Sequence, residues 1–212
     1  MKIYELYPKR TVSEVIVMSK NNASKKVAIL GLFAAVIIVF QLLSYVIKIG
    51  TFNLSFVLIP IVLGAVLYGT RVGTVLGALF GIVVVVCCIT GLDGGGYVLF
   101  TANPFLTSLI CIAKGALAGF LAGIISNCRL RSTKPYLAII LAALAAPIAN
   151  TGLFCISTLI FFKDILTDWA GGTELLVYII TGIVGINFII EFILNAVAAP
   201  ALFRVTNAIK KI

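Results

Sequence analysis

Lys114 and Glu191 are the two charges set deep within the long apolar stretches of this chain. A charge at bilayer depth costs about 2.5–3.5 kcal/mol on insertion scales, so it is seldom kept without a use. Amides accompany them at comparable depth. Gln41 lies in the first apolar run and Asn150 in the fifth, while Asn187, Glu191 and Asn195 share one face of the sixth at i, i+4, i+8 spacing. Polar groups in hydrocarbon must pair with one another or face water. An ammonium and several amides converging on one chamber can hold a small polar solute. Each residue also has a plainer reading. Lys114 and Glu191 pair and fix two helices, or Lys114 receives an anionic group. Asn150 follows Pro147 and can satisfy the carbonyls that a proline frees. Gln41 reads first as a helix–helix hydrogen bond, and Asn195 as structural.

Bond-breaking chemistry finds little support. The chain has no histidine, which removes the commonest metal ligand and general base. H-E-x-x-H, Gly-x-Ser-x-Gly and paired-carboxylate patterns are absent. The glycines at 94, 95 and 96 are not followed by Gly-Lys-Ser/Thr, so they are no phosphate loop. Of the five cysteines, Cys87, Cys88, Cys111 and Cys155 fall in apolar runs and read as small fillers. No enzyme activity, metal or cofactor is expected.

The elements that position these residues follow from composition. The chain is 62% hydrophobic and 11% charged, against about 45–50% and 25% in soluble domains. Six apolar segments can be drawn, at 27–47, 54–69, 72–90, 105–126, 136–162 and 175–203. The expected fold is an all-α membrane bundle of six transmembrane helices. Residues 1–26 form a cytoplasmic arm, amphipathic or loosely ordered, residues 27–205 the transmembrane domain, and 206–212 a cytoplasmic tail. The arm is polar and the first apolar run too long for an h-region, so no cleavable signal peptide is expected. The cations explain the net charge of +9. They cluster in the arm, at Arg71, at Arg129, Arg131 and Lys134, and in the tail, while Asp93, Asp164, Asp168 and Glu174 lie on the other side. This positive-inside pattern predicts both termini in the cytoplasm and a lipid bilayer, not nucleic acid, as the partner of the basic residues.

Small residues recur every fourth position: Gly31 and Ala35, then Gly73, Gly77 and Gly81, then Gly115, Gly119 and Gly123, then Ala138, Ala142 and Ala146. Such stripes let helices approach closely, within the bundle or against another subunit. Outside the bundle, the run from Gly91 to Tyr97 reads as a flexible glycine hinge leading into a lid that carries Tyr97 and Asn103, and Asn53 sits in the loop after the first segment.

Six segments with both termini inside and a small-residue stripe in the first resemble the substrate-binding (S) components of energy-coupling factor (ECF) vitamin transporters. The likeness is carried by the stretch 58–69 with Pro60, Gly64 and Gly69, by Gly73, Gly77 and Gly81, by Asn103-Pro104-Phe105 with Lys114-Gly115, and by Asn150-Thr151-Gly152 and Gly185-Ile186-Asn187. It covers about residues 25–205 and is similar to the riboflavin, folate and pantothenate group. The resemblance implies a high-affinity vitamin site on the outer side, in the plasma membrane of a bacterium. It implies a transmembrane coupling subunit docking on Gly31, Ala34 and Ala35, where Gly31 replaces the usual first alanine, and two cytoplasmic ATPase subunits. The candidate ligand contacts, read from depth along the helices and from loop position, are Lys114, Asn187, Asn150, Asn103, Glu191, Gln41, Asn53 and Tyr97. An ammonium suits a carboxylate, as in pantothenate or folate, unless Glu191 cancels its charge; the lean is to pantothenate, with riboflavin and folate next. A six-helix cell-envelope scaffold without transport activity is the rival reading.

Overall fold

Residues 12–46, 48–49, 52–53, 56–128 and 130–210 are described in a computed structural model. The chain divides into two compact units, Met1–Leu32 and Phe33–Ile212. Helix α1 (Val12–Val46) begins in the first and ends in the second. Its apolar part, Val27–Tyr45, is long enough to cross a membrane. Within the first unit Val27, Gly31 and Leu32 are exposed.

Among its described residues, the regular structure of the second unit is helical apart from a two-residue antiparallel pair, β1 (Lys48–Ile49) with β2 (Phe52–Asn53). Helix α2 (Leu58–Tyr68) has 11 residues and rises only about 16 Å, roughly half the hydrocarbon thickness of a bilayer. Pro60 falls in its first turn, where a missing N–H costs nothing. Gly69, at φ +94°, makes the single-residue turn into α3 (Thr70–Ile89), a conformation that residues with a Cβ rarely adopt. Helix α4 (Gly94–Ala102) is short. The long α5 (Pro104–Asn127) follows, then the brief α6 (Leu130–Thr133) and α7 (Pro135–Phe161). Thus α3, α5, α7 and the segment Phe188–Ala208 join the apolar part of α1 as five helices long and apolar enough to span a bilayer.

Helix α5 lies between α3 and α7. Its glycines account for the closeness of α3. A Cβ on Gly77 would collide with the Gly115 carbonyl, and one on Gly115 or Gly119 with the Gly77 or Gly73 carbonyl. Two stripes separated by a sharp turn and α4 therefore mesh backbone to backbone, a close approach that only small residues permit. Ala138, Ala142 and Ala146 on α7 are fully buried. The small residues of α1 differ, since Ala35 is exposed and Ala34 half-buried.

Polar side chains close one end of this assembly. Arg131 Nη1 donates to Val66 O at 2.9 Å and to Asn127 Oδ1 at 2.6 Å. Asn127 Nδ2 donates to Gly123 O at 2.7 Å. The bond to Val66 satisfies a carbonyl left open at the C-terminal end of α2 and ties it to the end of α5.

Two expectations change in the structure. The glycine-rich run is helical from Gly94 rather than a loop, because the Asp93 carboxylate accepts the Gly96 N–H at 2.9 Å and starts α4. The sixth apolar segment is not one continuous helix. After α8 (Lys163–Ala170), α9 (Leu175–Tyr178) passes into a π-helical turn, Ile179–Val184, and only then into α10 (Gly185–Lys210). Gly185 takes φ +20° at the break, and its N–H donates to Ile180 O.

Candidate functional site

A cavity of about 320 Å³ lies where α3, α4, α5 and α7 meet α8, α9 and the π-helical turn. Helix α5 supplies its polar wall. Thr107, Cys111 and Lys114 follow i, i+4, i+7 spacing and all face the void. The Lys114 ammonium stands 4.7 Å from the centre of the Phe154 ring on α7, within cation–π range. That contact fixes where the charge sits without using its hydrogen-bond donors. Thr107 is 3% exposed, and its hydroxyl has no hydrogen-bond partner.

The remaining walls come from elements that the sequence positions locally. Asn103 caps α5, its Oδ1 accepting the Leu106 N–H at 3.0 Å, with Pro104 at the first helical position. This cap fixes the start of the helix one turn before Thr107. Val84 and Cys88 of α3 also line the cavity. Gly96 lets α4 lie directly over Cys88, since a Cβ there would strike the sulfur. Leu99, Ile110 and Phe162 form a small apolar core, with Phe154 and Trp169 packed against it. That core fastens α4 and α8 to the bundle, and Leu99, Phe154 and Trp169 also face the cavity. Tyr178 and Gly182 bring the unwound segment to its edge. Discontinuous helices beside a cavity recur at binding sites of transporters, where irregular backbone is tolerated if it lines a void.

The sequence-predicted residues distribute unevenly. Lys114 lines the cavity. Gln41 is buried, and its Nε2 donates to the Tyr45 hydroxyl at 2.8 Å, while its Oε1 has no partner. Asn150 is buried with an unpartnered Oδ1. Asn195 is buried, and its Nδ2 donates to Glu191 O at 2.8 Å. Glu191 is half-buried on α10. None of these four, nor Tyr97 or Asn103, is among the described residues that line the void. Tyr97 and Asn103 are exposed. The side chains of Asn187 and Asn53 lie outside the described residues. Gln41, Asn150 and Asn195 are thus buried away from the residues that line the void, and Lys114 is the one of the described set that lines it.

Thr107, Cys88, Phe154 and Tyr178 are lining residues that sequence reasoning passes over. For Thr107 a signal exists, because it sits two turns before Lys114 on the same helix face. For the others only tertiary packing reveals the role. Among the described residues no group of three or more acidic, cysteine or histidine side chains is placed to hold a metal ion.

An ammonium on an aromatic ring, an unpartnered hydroxyl and apolar walls can hold a small anionic solute. Residues 25–203 match the family described as ECF transporter, substrate-specific component. The pantothenic acid transporter PanT of Lactococcus lactis subsp. cremoris (strain MG1363) is 29% identical over 201 residues, covering 90% of this chain and 99% of that protein. No solved structure matches. With the family match spanning nearly the whole bundle, this chain belongs to the substrate-specific components of ECF transporters.

Proposed function

We propose that this protein is the membrane-embedded binding subunit for uptake of pantothenate by an ATP-driven ECF transporter, and that the cavity around Lys114 is the vitamin site. The carrying observation is the Lys114 ammonium, held over Phe154 at the wall of a small cavity. A carboxylate placed there gains a charge-assisted hydrogen bond away from bulk water. A void of about 320 Å³ falls at the lower end of the ~300–1,000 Å³ typical of small-molecule sites. That size favours a slim, chain-like acid over the fused rings of riboflavin or folate. The pantothenic acid transporter of Lactococcus lactis, similar over nearly its whole length, supports the same choice.

In the proposed topology α2 completes a six-span bundle with both termini in the cytoplasm. Arg71, Arg131 and Lys134 then lie on the inner side, and the cavity opens beside Asp93 and α8, toward the outside. A transmembrane coupling subunit docks on Gly31, Ala34 and Ala35, and two ATPase subunits on that partner hydrolyse ATP. Exposure of Gly31 and Ala35, while the stripes of α3, α5 and α7 are consumed by internal packing, supports this assignment. A cell-envelope scaffold has no need of an ammonium-lined void.

Calorimetric titration of the purified protein with pantothenate, riboflavin and folate tests the ligand. Pantothenate is expected to bind most tightly, at micromolar concentration or below. Tighter binding of riboflavin or folate overturns the ligand choice, and no binding of any of the three overturns the function. Gln41→Ala and Asn150→Ala extend the same titration to the buried amides.

A further inference from the structure

Thr107 differs from five other helical threonines. The hydroxyls of Thr74, Thr158, Thr167, Thr181 and Thr206 each donate to the carbonyl four residues earlier, at 2.7–2.9 Å. That local bond is the usual refuge of a threonine hydroxyl in an apolar helix. Thr107 has the same opportunity at Asn103 O, which accepts the Thr107 backbone N–H at 3.0 Å. Its hydroxyl nevertheless makes no hydrogen bond, although the residue is 3% exposed and lines the cavity. A buried hydroxyl without a partner is costly. The cost disappears when something entering the void supplies the partner.

Lys114 stands seven residues further along the same face, a rise of about 10 Å. Side chains on a helix lean toward its N-terminus, so the ammonium reaches back toward Thr107 and shortens the gap. We infer that the Thr107 hydroxyl is a direct ligand contact and that, with Lys114, it sets the ligand's direction in the cavity. The carboxylate lies at Lys114, deeper in the bundle, and a hydroxyl of the neutral end hydrogen-bonds Thr107 near the start of α5. Pantothenate has this layout, an acid at one end and hydroxyls at the other. The inference rests on the proposed pantothenate function and adds to it the residue that reads the hydroxylated end.

The test crosses a protein change with a ligand change. Thr107→Val keeps the branched shape and removes the hydroxyl. Thr107→Ser keeps the hydroxyl. The ligands are pantothenate and an N-acyl-β-alanine of similar size without hydroxyls. Thr107→Val is expected to weaken pantothenate about 5- to 30-fold, the range for one hydrogen bond lost from a buried site. It is expected to leave the hydroxyl-free analogue unaffected, while Thr107→Ser retains most pantothenate affinity. In the absence of ligand, Thr107→Val is expected to unfold at the same temperature as the unaltered protein or higher, because no bond is lost. A merely structural threonine would show the opposite. Unchanged pantothenate affinity in Thr107→Val overturns the inference and leaves the proposed function standing. Equal weakening of both ligands, or a lowered unfolding temperature without ligand, overturns the direct contact. Failure of the unaltered protein to bind pantothenate removes both.

Discussion

Replacing Gly77 by alanine tests whether the site is held by backbone contact between α3 and α5. The added methyl carbon would lie 2.7 Å from the Gly115 carbonyl carbon and 3.2 Å from Ala116 Cα, with the Gly115 oxygen nearer still. Ordinary contact begins at 3.4 Å, so the helices must part by about 0.7 Å or more, or distort. Neither neighbour is the end of a flexible side chain. Overpacking of this kind costs about 1–3 kcal/mol, a fall of roughly 3–10 °C in Tm for a chain of this length. The same displacement shifts Val84 and Cys88 of α3 relative to Thr107 and Lys114 of α5, all of which line the cavity. Binding sites tolerate about 0.5 Å of such error, so ligand affinity is expected to fall with stability. Gly152→Ala is the control. Nothing lies within 4 Å of its new methyl, and exchanging a helical glycine for alanine contributes about 0.5–1 kcal/mol. Thermal unfolding in detergent and a titration with ligand measure both effects. If Gly77→Ala matches the unaltered protein in Tm and affinity, the meshed-glycine account of the site is wrong.

Two further outcomes separate stability, docking and binding. Arg131→Ala is expected to cost about 1–3 kcal/mol, because the Val66 carbonyl and the Asn127 amide oxygen lose a charged donor. Ligand affinity should not change, and a loss of binding without a loss of stability would contradict the capping role. Ala35→Leu, or Gly31→Leu, is expected to abolish co-purification with the coupling subunit while leaving vitamin binding intact, since both positions are exposed. An intact complex from either variant refutes docking at that stripe.

Much of this architecture is legible in the sequence because lipid makes strong demands. Long apolar runs must be helices, and the glycines spaced by four on α3 and α5 do meet. Lys114 stands out because a charge at that depth needs a destination, and the cavity provides one. Other features depend on competition that a single sequence does not resolve. Gly94, Gly95 and Gly96 have poor helix propensity, yet the Asp93 cap and the packing of Gly96 on Cys88 hold them in α4. Gly182 and Gly185 are compatible with an unbroken membrane helix, and only the surrounding contacts turn that stretch into a π-helical turn and a break. Asn103-Pro104 is a helix-start signal, and the Asn103 amide oxygen is spent on that cap. Thr107 stays inconspicuous in sequence because threonine hydroxyls ordinarily close on their own helix.

Equilibrium binding of radiolabelled pantothenate to the unaltered protein and to Lys114→Ala, measured side by side, most directly tests the assignment of the vitamin site. A lost charge-assisted hydrogen bond predicts affinity reduced about 10- to 150-fold, with the folded bundle retained. Equal affinities for the two proteins would place the vitamin elsewhere and contradict the account.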